Sequence, residues 1–119
     1  MNRQGIDLNQ ICEDYGIKLF KYSNPRISAI MEDLKLPTTS SGYAIVAKNG
    51  PAILYDDRRS EQDIRFTVAH ELGHILLGHL DYRQKAGKMP EFAEKEADTF
   101  AVMLIIHDIL CRYGMEAAL

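Results

Sequence analysis

The sequence predicts a small α+β domain in which a short, mainly antiparallel sheet packs on two consecutive helices. Three patterns indicate this fold class: a long apolar-periodic segment between Ser60 and Gly78, a second one after Pro90, and two short apolar runs on either side of Asn49-Gly50. The 119 residues suit one hydrophobic core, so we expect residues 1–119 to form a single domain.

Composition and charge exclude several classes of protein. With 46% hydrophobic and 26% charged residues, the chain has the make-up of a globular domain rather than of a disordered or fibrous protein. A net charge of -3 without a dense basic block disfavours direct binding to nucleic acid. No apolar run approaches the roughly 20 residues of a membrane span, and residues 1–7 lack the apolar stretch of a signal peptide. We therefore expect a cytoplasmic protein with reduced cysteines.

The N-terminal third predicts a helix, a strand and a second helix. Asp7 with Gln10 forms a capping pair for the first helix, whose apolar face should include Tyr15 and which should end at Gly16. The residues from Ile17 to Tyr22 then predict a short strand. Four apolar residues at helical spacing predict the second helix: Ile27, Ile30, Met31 and Leu34.

Two strands, Tyr43 to Ala47 and Ala52 to Tyr55, flank Asn49-Gly50 and predict a β-hairpin. Pro51 lacks an N–H, which favours a wider loop and an edge position for the strand that follows. An exposed edge at Ala52 to Tyr55 would let an extended peptide add as a further strand. The alternative is an ordinary protected sheet edge.

The next helix, capped by Ser60, carries the first chemical motif. His70 and His74 are four residues apart, which on a helix leaves them about 40° apart and about 6 Å along the axis, so both imidazoles can bind one metal ion. Glu71 lies about 100° further round, where it can reach a water on the metal. This is the logic of the H-E-x-x-H motif. The alternative is a pair of histidines on an ordinary amphipathic helix.

A third metal ligand is expected on the helix after Pro90, because a catalytic zinc site needs three protein ligands and one open position. Glu94 and Asp98 share a face of that helix. Glu94 can bind the metal, and Asp98 can accept the spare ring N–H of a zinc-binding histidine. The alternative is a solvated acidic first half of a helix. Small residues on the same helix should let the two helices pack closely: Ala93, Ala97 and Ala101.

Other polar residues are expected to lie away from this site. His79 follows His74 by five residues, which turns it about 140° away on a helix and predicts a surface histidine. Glu96 should point to another face than Glu94. The tail from His107 predicts one or two further short helices. Several residues remain candidates for stabilising an oxyanion: Tyr43, Tyr55, Tyr82 and His107.

Two segments resemble the ImmA/IrrE family of zinc metallopeptidases. Residues 65–74 read R-F-T-V-A-H-E-L-G-H and resemble the family's R-F-T-x-A-H-E-L-G-H helix. Residues 94–101 read E-K-E-A-D-T-F-A and resemble its E-x-E-A-N/D-x-F-A helix. The resemblance runs from about Gly42 to Leu104. The family pattern usually continues to L-L-M-P, whereas residues 104–107 here are L-I-I-H.

The resemblance implies a small zincin-like metalloprotease domain of the gluzincin type. It implies that His70, His74 and Glu94 bind Zn2+ and that Glu71 is the general base. It also implies that Asp98 contacts one of these ligands without binding the metal itself. The implied partner is a protein substrate, a helix-turn-helix repressor of a phage or mobile element. The implied activity is site-limited cleavage of that repressor.

One rival reading is a non-proteolytic interaction module that binds a regulator through the same groove and keeps a structural or vestigial zinc. Glu71 favours the enzyme, because a structural ion does not need a carboxylate at that position and catalysis does. A toxin–antitoxin partner is a third reading, supported only by small size.

Overall fold

The computed structural model describes residues 5–81 and 88–115. The described elements are α1 (Leu8–Asp14), β1 (Lys18–Lys21), α2 (Pro25–Asp33), β2 (Gly42–Ala47), β3 (Gly50–Tyr55), α3 (Glu61–Leu76) and α4 (Glu91–Arg112). Most of the predicted polar loop before Pro90, including Tyr82, lies outside the described residues, as does the end of the predicted tail. None of the helices found in the described ranges has the length and apolar character needed to cross a membrane.

The sheet is mixed, with strand order β1-β3-β2. β1 pairs in parallel with β3, from Lys18 opposite Ala52 to Lys21 opposite Tyr55. β2 pairs with β3 in the antiparallel sense along its whole length. The α+β class is therefore confirmed, whereas the mainly antiparallel character that the sequence predicts holds only for the β2–β3 pair.

The prediction that Ala52 to Tyr55 forms an exposed edge is wrong, because β3 is the central strand. Pro51 is compatible with this position since it pairs with Val46 of β2, while the pairing with β1 begins only at the next residue. The loop is also not widened, because Ala47 pairs with Gly50 and only Lys48 and Asn49 lie between them. Gly50, the first residue of β3, has a φ of 119°. The edge strand next to α3 is β2.

The first two helices bury fewer apolar side chains than the sequence predicts. Asp7 accepts hydrogen bonds from the backbone N–H groups of Asn9 and Gln10 and so caps α1, but the Gln10 side chain donates to Asp14 instead of returning to the cap. Tyr15 is exposed. In α2, two of the four predicted apolar residues, Ile27 and Met31, are buried and the other two, Ile30 and Leu34, are exposed.

α3 lies between the sheet and α4. Val68 and Leu72 on one side of α3 join Ile53 of the central strand in the main core. On the α4 side, a Cβ built on Gly73 would lie 3.0 Å from Cδ1 of Phe100, so the two helices approach too closely for a larger residue there. Three alanines of α4 are fully buried along this contact, as the sequence predicts: Ala93, Ala97 and Ala101.

α4 is a single helix of 22 residues. The sequence predicts a separate helix from His107, and this is wrong: the helix continues through His107 to Arg112 because no residue in that stretch interrupts it. The chain leaves the helical conformation at Gly114, where φ is 73°.

Candidate metal centre

The side chains of two histidines of α3 point toward one common position. Ser60 caps the helix by accepting from the backbone N–H of Asp63, as predicted, and the helix is regular through both histidines. The Nε2 atoms of His70 and His74 are 3.0 Å apart, and the ring planes are nearly perpendicular at 85°. The spacing of four residues therefore brings both imidazoles to one point.

Glu94 of α4 reaches the same point from the neighbouring helix. Its Oε1 lies 2.6 Å from Nε2 of His74 and 3.6 Å from Nε2 of His70. A tetrahedral ion with ligand bonds of about 2.0–2.1 Å holds its ligand atoms roughly 3.3 Å apart. The three separations lie on either side of this value, and two neutral nitrogens with one carboxylate oxygen is a donor set that zinc accepts. The residues present therefore fit such an ion.

Glu71 lies beside this triangle and is 5% exposed. His70, Glu71 and His74 each offer a ligand atom within 4.8 Å of the others, so this group could also hold a metal ion. The ligand atoms of the two histidines and Glu94 lie within 3.6 Å of one another. A Cβ built on Gly42 would lie 3.7 Å from Cγ of Glu71, so the first residue of the edge strand β2 passes next to this carboxylate.

Asp98 lies behind His70. Its Oδ1 is 2.7 Å from Nδ1 of His70, but the approach is not aligned with the ring N–H as a hydrogen bond requires. The Asp98 side chain is 57% exposed. The structure therefore brings Asp98 to the expected ring, as an ion-pair contact rather than as an aligned hydrogen bond.

His79 is buried, and the prediction of a surface histidine is wrong. Its side chain is 3% exposed, and its Nδ1 lies 3.0 Å from Nδ1 of His74. Glu96 reaches this ring, because its Oε1 lies 3.2 Å from Nε2 of His79, whereas Glu94 lies against Nε2 of His74. Helical geometry does not extend past Leu77: Gly78 has a φ of 75°, which turns the chain back toward His74.

Burial sets the protonation state of His74, which is fully inaccessible to solvent. Burial, and after it the neighbouring His70, lower the pKa of His74 from 6.5 to about 4, while Glu94 opposes the shift. His74 is therefore neutral at neutral pH, and a neutral imidazole is the form that binds a metal ion.

The other end of the α3–α4 contact carries an ionic cluster that sequence reasoning missed. Asp108 of α4 is 1% exposed and contacts Arg65 of α3 and Arg112, and it also accepts from the backbone N–H of Ile6. The available signal was an aspartate within an otherwise apolar stretch, four residues before an arginine.

The structure separates His107 from the site. His107 lies thirteen positions after Glu94 on the same straight helix, about 20 Å along its axis, and its Nε2 is 3.7 Å from Sγ of Cys111. It cannot stabilise an oxyanion at the centre. The hydroxyl of Tyr43 donates to the carbonyl of Pro37.

Comparison with known proteins gives one family. The model of the Peptidase_M78 family, described as an IrrE N-terminal-like domain, matches residues 12–113. The match begins within α1 and takes in the sheet and both helices of the centre. No curated protein and no solved structure gives a significant match.

Proposed function

The chain belongs to the IrrE N-terminal-like family of peptidases, and we propose that it is a zinc-dependent endopeptidase. The family indicates a metallopeptidase, and zinc is our own assignment. One observation carries it: a carboxylate oxygen of α4 lies within 2.6 and 3.6 Å of two facing imidazole nitrogens of α3. This is the three-ligand set of a catalytic zinc site.

His70, His74 and Glu94 would hold the ion. When bound, zinc would lower the pKa of a water molecule to about 7 and polarise the scissile carbonyl. Glu71 would take the proton from this water and pass it to the leaving amine. Its position beside the ligands supports this role, because the carboxylate lies within reach of a water on an ion held by His70 and His74.

The edge strand β2 is the surface on which the substrate would lie. Its outer edge has no strand partner in the described sheet, and its first residue, Gly42, passes beside Glu71. An extended segment that adds to β2 would therefore carry a peptide bond past the general base. This replaces Ala52 to Tyr55, which lies in the centre of the sheet.

We propose a helix-turn-helix repressor of a phage or mobile element as the substrate, on the resemblance to ImmA-like proteins, and a cytoplasmic site of action. The net charge of -3 supports an effect on transcription that passes through a protein rather than through DNA. We expect cleavage at a limited number of sites in this repressor and weak activity on casein.

The test mixes the repressor encoded beside this protein with wild type, Glu71→Gln and Glu91→Gln, and identifies fragments by mass spectrometry. Glu91 is an exposed glutamate of α4 that pairs with Lys95, so it serves as a matched control. We expect zinc-dependent fragments with wild type and Glu91→Gln, and at least about a hundredfold less with Glu71→Gln, which should keep its zinc. Tight binding of the repressor by all three proteins without fragments would contradict the enzyme and favour an interaction module.

A further inference from the structure

A buried histidine and a carboxylate follow one another behind the ring of His74. Nδ1 of His74 is 3.0 Å from Nδ1 of His79, and Nε2 of His79 is 3.2 Å from Oε1 of Glu96. The two imidazoles are inclined at 65° with centroids 5.2 Å apart. Both contacts have hydrogen-bond length, so the three side chains form a continuous path from the candidate centre to the surface of α4.

The chain is built to hold His79 in this place. The backbone N–H of His79 donates to the carbonyl of His74 at 2.8 Å, which closes the end of α3 over its own last turn. The positive φ of Gly78 makes this reversal possible. As a result, His79 lies under His74 although a continued helix would point it elsewhere.

The protons of the three groups have one consistent arrangement when His74 binds a metal through Nε2. The proton of the neutral ring is then on Nδ1, and it is directed at Nδ1 of His79. His79 must accept there, which leaves its own proton on Nε2, facing Glu96. The carboxylate accepts that proton's hydrogen bond. Each donor therefore meets an acceptor, and any other tautomer of His79 sets two N–H groups against each other.

The arrangement also keeps the negative charge of Glu96 away from the buried ring of His74. Glu96 is 54% exposed, so its carboxylate stays solvated, whereas His79 is 3% exposed and His74 is fully buried. The Nδ1 side of the His74 ring is turned away from Glu94 and buried, so a carboxylate placed directly there would lose its solvation. His79, placed between them, transmits the orienting hydrogen bond without that desolvation.

We propose that His79 and Glu96 are positioning residues for His74: they fix its ring and its tautomer so that the Nε2 lone pair points at the metal. The proposal rests on the zinc site of the proposed function, but not on peptidase activity. The two carboxylates of α4 on either side of Lys95 thus have different tasks, Glu94 as a ligand and Glu96 as the end of a hydrogen-bond path.

The first test reads tautomers directly. Long-range proton–nitrogen correlation spectra of the zinc-loaded, ¹⁵N-labelled full chain should show His74 with its proton on Nδ1 and His79 with its proton on Nε2. In Glu96→Leu the His79 signal should shift or average between tautomers. A zinc-loaded wild type in which His79 carries its proton on Nδ1 overturns the proposal.

The second test measures zinc dissociation constants by competition with a chromogenic chelator. Loss of a hydrogen-bond partner of a metal ligand costs roughly 10–100-fold in affinity, so His79→Leu should weaken zinc by an amount in this range. Glu96→Leu should weaken it by about 10-fold, and Glu96→Gln, which keeps an acceptor oxygen, should retain most of the affinity. The control Glu91→Leu removes an acid from the same helix and should change nothing.

The variants distinguish positioning from packing or charge. If His79 only fills space, Leu at that position keeps the affinity and the proposal fails. If Glu96 acts only through its charge, Gln and Leu weaken zinc equally, and the proposal fails as well. Should His79→Leu not fold, the Glu96 pair and the wild-type spectra still decide. Absence of cleavage by a protein that binds zinc in this way would remove the proposed function and leave this inference intact.

Discussion

The two ends of the α3–α4 contact both join the helices through charged or polar side chains, and they do so differently. At one end Asp108, almost fully buried, meets Arg65 and Arg112, so the negative charge is matched by cations of the chain itself. At the other end the described partners of Glu94 and Asp98 are the rings of His70 and His74, and the low pKa of His74 keeps that ring neutral.

This difference separates a structural contact from a binding site. The buried carboxylate of Asp108 has two arginines of the chain as partners, and these reach it from the partly exposed rim of the helix pair. At the histidine end, no Lys or Arg among the described residues pairs with Glu94 or Asp98, and Glu94 is 47% exposed, so an ion can reach it from water. A metal ion bound there, as in the proposed function, would complete the second end in the way that Arg65 completes the first.

The largest effect is expected at the histidine end. His74→Ala removes one of three ligands, so zinc content by elemental analysis should fall from about one ion per chain to a small fraction, with an affinity loss beyond the roughly 100-fold that loss of a ligand's partner costs. Arg65→Leu, at the other end, should keep its zinc if it folds. Full zinc retention in His74→Ala would show that the ion binds elsewhere.

The Asp108 end should affect stability instead. Arg65→Leu leaves the buried carboxylate of Asp108 with Arg112 alone, and breaking a buried pair costs about 3 kcal/mol or more in the free energy of unfolding. Urea denaturation measures this. Arg65→Leu with Asp108→Leu together should recover much of the loss, because no buried charge is left without its partner. If the double variant loses as much unfolding free energy as the two single variants together, the two residues do not act as a pair.

The smallest effect is a pH dependence of the metal-free protein. The folded-state pKa of His74 is about 4, below its ordinary value of 6.5, so the unfolded chain binds a proton that the folded one does not between these values. Stability should therefore be full above about pH 6.5 and fall as the pH is lowered toward 4. The measurement compares the unfolding free energy of wild type and His74→Gln across this window. Parallel curves for the two proteins would contradict the burial argument.

What could be predicted from sequence is local to one helix or one cap. The cap at Ser60 and the facing of His70 and His74 follow from spacings of three or four residues. Glu94 was predicted because a catalytic zinc site needs a third ligand, and an acidic residue on the following helix can supply it. The same arithmetic failed at His79, because helical angles lose their meaning once Gly78 leaves the helix.

The rest depends on contacts between distant parts of the chain. The central place of β3 is decided by its parallel pairing with β1, about 34 residues earlier, which no local pattern encodes. Asp108 likewise acquires its role only when α4 lies against Arg65 and the chain near Ile6 covers it. The interpretation of Pro51 as an edge signal failed for the same reason.

Because α4 is one unbroken helix, the number of residues between its two ends is fixed, and this limits the mutations that the gene can carry there. Glu94 and Asp108 stand about four turns apart on one rigid helix, and each must meet its own partner on α3. A single inserted or deleted codon between them would rotate one carboxylate by about 100° relative to the other. In this interval only substitutions leave both ends of the helix pair in register.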